Sequence, residues 1–394
     1  MARDGVRSMV ALLVVAASVV ALATPAAAGA AVAAPTGTDA PASVDGAAAA
    51  QEDCSFPVTL TDAKGHEITL EERPESVVTL QPSAAQTMWE IGAQGQVTGL
   101  PISQYTDYLE GREGKTDISQ DDGVSVSIET TVATQADLVL APNSTRDSTI
   151  SQLREVGMPV YEFRMAESIE DIYEKTNTTG RLTGNCEGAA EAVSEMRTDI
   201  EVVQAAVSGE ERGTVYYQMT GGFTAGEGTF INRIIELGGG ENIAVGANVT
   251  GYDQLSNEII VAQDPEWILV QEQYGLQGTE ALSETTAVQE DQIIEVNANY
   301  LNQPGPRVVI PISQVAQSIH PEAYAEANAS VRGDAGMESG TTAADGGSDG
   351  ESDSDSGGDG DDTTESSDSG GQPGMGIGAA VAALVATLAL LARR

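Results

Sequence analysis

Apolar and polar residues alternate with a period of two at 56–60 and 66–70, around the polar turn 62–65. That pattern predicts a β-hairpin. The runs 76–80, 96–100, 136–141 and 159–163 are more continuously apolar, as strands buried on both faces must be. Helical patterns fall between them. One opens at Ser83, read as its cap, and ends before Gly92; the others span 128–134 and 149–156. From Ser168 to Val207 strand signals are absent. Within that stretch 187–207 is a strong helix former, with Ala189, Val193, Met196, Ile200, Val203 and Val207 at helical spacing. At 1.5 Å per residue it would span about 30 Å. The alternation then resumes, with strands at 213–218, 267–270 and 292–296 and helices at 230–237 and 256–262. A closing helix is expected at 307–316, although Pro311 lies inside it.

Strands alternating with helices imply an α/β fold whose sheets are parallel and covered on both faces. The pattern predicts two βα lobes, 54–165 and 212–330, joined through a helical connector at 166–211 that contains one long backbone helix. Outside these lie 1–28, with Arg3 and Arg7 before an apolar run and small residues near Ala28, the layout of a secretory signal peptide. A flexible Ala/Pro/Thr/Gly leader follows at 29–53. Residues 331–372 are rich in Asp, Ser, Gly, Thr and Glu, too polar to bury a core and expected to form a disordered, self-repelling stalk. The last segment, 373–394, is an apolar run closed by Arg393 and Arg394, a membrane-anchor or sorting element. The body is therefore expected outside the cell, tethered at the membrane's outer face, where it works without cytosolic ATP.

Charge narrows the function further. The chain carries 60 Asp and Glu against 18 Lys and Arg, a formal charge of -42. Such a surface repels nucleic acid. The acid is spread over the body as well as the stalk, which suits a protein hydrated in concentrated salt and implies a halophilic source. At molar salt the Debye length is about 3 Å, so the mutual repulsion is largely screened. Cys54 and Cys186 on an exported chain point to a disulfide, with two separate thiols as the alternative. Asn143, Asn177, Asn248 and Asn328 open glycosylation triplets.

Catalytic chemistry has little to stand on. His66 and His320 are the two histidines, and neither has a Cys or His partner at metal-ligand spacing. No Gly-x-Ser-x-Gly elbow is present in the two expected lobes, and Leu109 stands where a phosphate loop preceding Gly114-Lys115-Thr116 needs glycine. The expectation is a protein that is not an enzyme, with no cofactor and no metal. What remains is a cleft beyond the carboxyl ends of the strands. Loops there are rich in aromatic, amide and hydroxyl groups, which favours a large, flat, nearly neutral ligand. Ser83, Gln86, Tyr105, Tyr108, Asn143, Phe223, Tyr300 and Gln303 are the candidate ligand contacts.

Several stretches, taken in order, resemble the helical-backbone class of ABC-transporter substrate-binding proteins. They are 75–92, 127–140, 223–242 and 256–269. The resemblance covers about 56–320 and implies delivery of cobalamin, a ferric siderophore or haem to a membrane permease coupled to an ATPase. It also implies docking through one acidic residue near the tip of each lobe, here Glu129 and Glu258. Tyr105, Phe223 and Tyr300 match aromatic positions of cobalamin-binding members, while Asn299 and Gln303 stand where charged contacts are expected. Pro373-Gly374-Met375 and the apolar run behind it resemble the C-terminal sorting signal of haloarchaeal surface proteins, with Met375 at a position usually held by Phe. The leading expectation is a monomeric, membrane-tethered, cobalamin-binding component of an importer. A ferric-siderophore receptor is the nearest alternative, followed by an adhesive surface protein.

Overall fold

The computed structural model describes residues 54–120 and 125–341. The expected signal, leader and sorting segments fall outside those residues, as does the stalk from 342 onward; its first part, 331–341, expected to be disordered, is described and is helical. The first lobe opens with the expected hairpin, β1 (Val58–Thr61) against β2 (Glu67–Leu70), antiparallel. Then come β3 (Val77–Thr79), α1 (Pro82–Glu90), β4 (Val97–Leu100), β5 (Thr116–Asp117), α2 (Ile128–Ala133), β6 (Leu138–Ala141), α3 (Asp147–Glu155) and β7 (Val160–Glu162). Strands β5-β4-β3-β6-β7, in that order, form one wholly parallel sheet. Its two faces are both dry. Val77, Leu138 and Leu140 point into one core, while Val78, Val139 and Ala141 point into another. This is why the strands read as unbroken apolar runs rather than as alternation.

The connector holds two helices. α4 (Ile169–Thr183) begins at a capping box, in which the Ser168 side chain accepts from the Asp171 N–H and Asp171 accepts in return from the Ser168 N–H. It ends at Gly184, in the left-handed conformation at φ 68° that a side chain would strain. α5 (Cys186–Val207) then runs for 22 residues. The expected backbone helix is there, but a second helix folds back along it, since a two-residue turn leaves no other course. Gly180 near the end of α4 lies against Ala189 near the start of α5, and Arg197 sits 4.7 Å from the Tyr173 ring.

The second lobe repeats the logic. It contains β8 (Gly213–Gln218), β9 (Phe223–Ala225), α6 (Phe230–Leu237), β10 (Gly240–Asn242), α7 (Ile243–Gly246), β11 (Tyr252–Gln254), α8 (Asn257–Gln263) and β12 (Trp267–Gln271). After these come α9 (Thr279–Leu282), α10 (Thr286–Gln289), β13 (Ile293–Val296), α11 (Ala298–Asn302) and α12 (Val309–Ile319). Its parallel sheet has the order β10-β8-β12-β13, and β9 pairs antiparallel with β11 in a separate ribbon. The closing helix starts two residues later than expected and runs three further. A 3₁₀ turn at Pro306–Val308 precedes it. Pro311 therefore falls in the first turn, where its missing N–H costs nothing. Both lobes belong to one compact unit ending at Ala329; beyond it only the remainder of α13 (Pro321–Thr341) is described. Among the described residues no helix is long and apolar enough to cross a membrane.

The connector helices belong to both cores at once. Ala189 and Ala192 of α5, with Leu182 of α4, complete the first lobe's core. Val193, Met196, Ile200 and Val203, with Ile169, Ile172 and Tyr173, are buried in the second lobe's core. Close approach at the first-lobe end depends on Gly188, where an added Cβ would sit 2.2 Å from the Ile91 carbonyl oxygen. Cys54 and Cys186 form a disulfide across 132 positions, fixing the first described residue to the head of α5.

Gly188→Ala should lower stability by about 1–3 kcal/mol in denaturant titration, against the gain of about 1 kcal/mol that alanine gives an open helix. Gly333→Ala in α13, with open space around it, is the control expected to cost nothing. Replacing both cysteines by serine should lower stability by about 2–4 kcal/mol while leaving the far-ultraviolet circular dichroism unchanged.

Candidate functional site

The loops after the carboxyl ends of the strands face one another across the lobes. Loop 101–109 after β4 meets α11 after β13: Asn299 Nδ2 donates to the Gln104 carbonyl at 3.0 Å, and Gln303 Nε2 donates to the Tyr105 carbonyl at 2.8 Å. From this seam a continuous network runs inward. Tyr108 OH donates to Gln303 Oε1 at 2.6 Å and accepts from Gln86 Nε2 at 3.0 Å. Gln86 Oε1 accepts from the Arg307 backbone N–H, also at 3.0 Å. Gln86 and Gln303 are buried, so each amide group needs such partners.

Arg307 closes the network. Its Nε donates to Glu90 Oε1 at 2.6 Å and its Nη1 donates to Tyr300 OH at 3.1 Å. The guanidinium lies 5.0 Å from the Tyr108 ring and 5.4 Å from the Tyr300 ring, and the two rings meet edge to face at 5.4 Å. Burial works against the charge of Arg307, but the Glu90 carboxylate outweighs it and holds the group above its ordinary value. Burial drives the Tyr108 phenol well above the usual tyrosine range, so it stays a hydrogen-bond donor at any ordinary pH.

Ser83 does not cap α1. Gln81 holds the cap position, with Pro82 as the first helical residue. Ser83 is buried one residue further in, and its Oγ accepts from Lys175 Nζ at 3.1 Å. Of the eight candidate ligand contacts, then, Gln86, Tyr108, Tyr300 and Gln303 are bonded to one another, to Arg307, or both. Tyr105 joins through its carbonyl, leaving its ring 40% exposed. Asn143, exposed after β6, and Phe223, 41% exposed on β9, stand apart from the network.

Arg307, Glu90 and Lys175 are absent from the sequence-based set. A signal was available, because cations are scarce in this chain and Arg307 follows the amide-rich stretch 299–303. Met165 after β7, Tyr274 after β12 and Tyr252 on β11 are also absent from that set. All three are more than half exposed, and Tyr252 lies on the strand paired with Phe223's β9. Two local concavities lie elsewhere. One of about 490 Å³ involves Arg212, Asn232 and Glu236 of the second lobe; the other, of about 320 Å³, involves Asp62, Phe163 and Lys175. Neither is lined by a candidate ligand contact.

The lobes carry matching helix starts. Ser127 caps α2 and Ser256 caps α8, each accepting from the N–H three residues on. Glu129 and Glu258 follow two residues after those caps, at the same helical position, and both are exposed. Negative charge there is favourable to the helix as well. Asn143 and Asn248 are exposed; Asn177 and Asn328 are half-buried within helices. Thr179, the third residue of the Asn177 triplet, is buried with its hydroxyl donating to the Lys175 carbonyl. Among the described residues no three His, Cys, Asp or Glu side chains are grouped to hold a metal.

A cobalamin-binding protein of Halobacterium salinarum is 42% identical over 289 residues, covering 69% of this chain and 77% of that one. An uncharacterized ABC transporter substrate-binding lipoprotein of Bacillus subtilis is 26% identical over 303 residues, 74% of this chain and 94% of its own. Among solved structures, the periplasmic vitamin B12-binding protein of Vibrio cholerae matches with a TM-score of 0.55 at 22% identity, over 63% of this chain and 98% of that one. A periplasmic heme-binding protein from a Roseiflexus species also matches at 0.55, with 21% identity over 64% and 99% of the two chains. At those identities the last two share the fold. The family model described as periplasmic binding protein matches residues 77–300, more than half of the sequence, and with two parallel-sheet lobes on a helical backbone the chain belongs to that family.

Proposed function

We propose that this protein is the extracellular solute-binding component of an ABC importer and that it takes a corrinoid between its lobes. The observation that carries the reading is the 42% identity to the Halobacterium cobalamin-binding protein, spread over most of both chains. Side-chain chemistry supports it. Tyr105 and Phe223, with Tyr252 on the strand paired to β9 and Tyr274 after β12, are exposed aromatics that offer flat faces to a large neutral ligand. Asn143 supplies a polar contact from the first lobe. The Gln86–Tyr108–Gln303 chain and Tyr300 are satisfied within the protein, so their role is to fix the floor of the cleft. A strongly anionic ligand fits less well. Arg164, in the loop after β7, is already engaged by Asp171 and Glu174.

Capture needs only modest closure, because two packed helices cross between the cores and resist bending. Handover follows when Glu129 and Glu258 meet cations on the permease, charge pairs that set register and encounter rate. The body is held at the outer face of the membrane through 373–394, with 331–372 as its spacer and Pro373-Gly374-Met375 as the sorting motif. Asn248, exposed and outside the ligand contacts, is the triplet best placed for a glycan. The protein acts as a monomer and performs no catalysis.

Calorimetry in molar salt with cyanocobalamin, haem and a hydroxamate siderophore should give heat with the corrinoid. Binding of haem or the siderophore alone would reassign the ligand, and no binding at all would favour the adhesive reading. Tyr105→Ala and Phe223→Ala should each weaken corrinoid binding at least about fivefold, the signature of a ring carrying more than about 1 kcal/mol. Glu129→Lys with Glu258→Lys should abolish transport into cells while leaving calorimetric affinity unchanged. Undiminished uptake would remove both residues from docking.

A further inference from the structure

The chain has three lysines, Lys64, Lys115 and Lys175. Lys175 is buried, at 8% exposure, on the connector helix α4. Its Nζ donates to Ser83 Oγ of α1 at 3.1 Å and to the Pro304 carbonyl, between α11 and α12, at 2.9 Å. One acceptor belongs to each lobe, so the amine ties them together. In a chain with 60 acidic residues it nevertheless makes no ion pair with any described residue. The Phe163 ring lies 5.9 Å from Nζ, near the limit of a cation–π contact.

The nearby charges are committed elsewhere. Asp62 is paired with Arg154, and Glu162 lies 3.7 Å from Lys64. Asp171 and Glu174 hold Arg164, and Glu90 holds Arg307. Tyr161, on β7, donates to the Thr61 carbonyl. Ser83 lies in the first turn of α1, where the helix dipole disfavours a cation. A neutral amine has two N–H donors, and the junction supplies two oxygen acceptors. An ammonium has three donors, one more than the two oxygens that Nζ bonds among the described residues.

We propose that Lys175 is a proton-sensitive latch between the lobes: as the neutral amine it holds α1 to segment 303–307, and on protonation it releases them. The 320 Å³ concavity gives the charged form somewhere to go, since Lys175 lines it together with Asp62, Glu162, Asp171 and Glu174. The latch is independent of which ligand the cleft takes. Burial lowers the Lys175 pKa from 10.5 to about 7, so the switch falls near neutrality. The sign follows from linkage. Between about pH 7 and 10 the unfolded chain holds a proton that the folded chain has shed, so this group adds stability as pH rises. Below about pH 7 both states hold it, and the contribution stays at its minimum. Buried Tyr216 and Tyr217, raised to about 12, act in the opposite sense as pH climbs above the ordinary tyrosine value, outside this window.

With only three lysines, the full chain labelled with ¹³C,¹⁵N-lysine can report Lys175 directly by NMR in molar salt. One lysine should titrate near neutrality and disappear from the spectrum of Lys175→Met. Hydrogen exchange, corrected for intrinsic rates, should show amides of 303–308 losing about fivefold or more protection between about pH 8.5 and 6 in the native sequence. That loss should be absent in Lys175→Met. Three lysines all titrating near 10, or protection of 303–308 that does not change with pH, would overturn the proposal. So would the same change persisting in Lys175→Met. The measurements on the native sequence decide the matter even if the variant does not fold.

Discussion

The structure depends on one helix being buried in two places. α5 gives Ala189 and Ala192 to the first lobe and Val193, Met196, Ile200 and Val203 to the second. Neither lobe's core is complete without it. Small residues lie at the first-lobe end, where α1 approaches closely enough that Gly188 must lack a side chain. Larger ones lie at the second-lobe end, where α12 and the β8–β12 sheet leave more room. Bending between the lobes would therefore have to shear packed side chains rather than rotate a free linker. Interiors packed at crystal-like density resist that.

The second tie is polar, and it works because it is saturated. Gln86, Tyr108, Gln303 and Arg307 exchange hydrogen bonds across the seam, with Glu90 and Tyr300 completing the set. A buried amide left unpaired costs about 1–3 kcal/mol, so the network favours one relative placement of the lobes over neighbouring ones. The same residue types would serve a ligand. Here they are already spent on each other, and the free aromatic faces lie further out, on Tyr105, Phe223, Tyr252 and Tyr274.

Much of this was legible in the chain. Continuous apolar runs marked strands covered on both faces, and the 3.6 spacing from Ala189 to Val207 marked α5. The spacing does not tell which core receives each residue, since one apolar stripe serves both. α4 was readable too: Ser168 and Asp171 form a helix-start signature and Gly184 a stop, but without them the stretch merges into its successor. The candidate site was half legible. Residue type and position after strand ends singled out Gln86, Tyr108, Tyr300 and Gln303. That they join one network, through Arg307 as well as one another, depends on contacts between residues up to 221 positions apart, which no local pattern carries. Ser83 was misread because a serine before an apolar run looks like a cap; Pro82, fit for the first helical position, moves the cap to Gln81.

The scarcity of cations gives a way to read the rest. A surface that must stay hydrated in concentrated salt gains little from lysine and arginine, so those retained in the body should be doing work that no neutral side chain can. Their placement agrees. Arg73 donates to the Thr183 carbonyl and Asn185 at the end of α4, where the helix leaves carbonyls unpaired and its dipole favours a cation. Arg212 does the same for the Glu236 carbonyl in the last turn of α6 and the Gly240 carbonyl beyond it. Arg154 neutralises Asp62, whose side chain is fully buried, and Arg307 bridges the lobes. Four of these sites end a helix, hold a buried acid or join two domains, and each gives the cation a carbonyl or carboxylate. Lys175 alone among the five is buried with neutral acceptors only, and that difference turns a structural cation into one whose proton is negotiable.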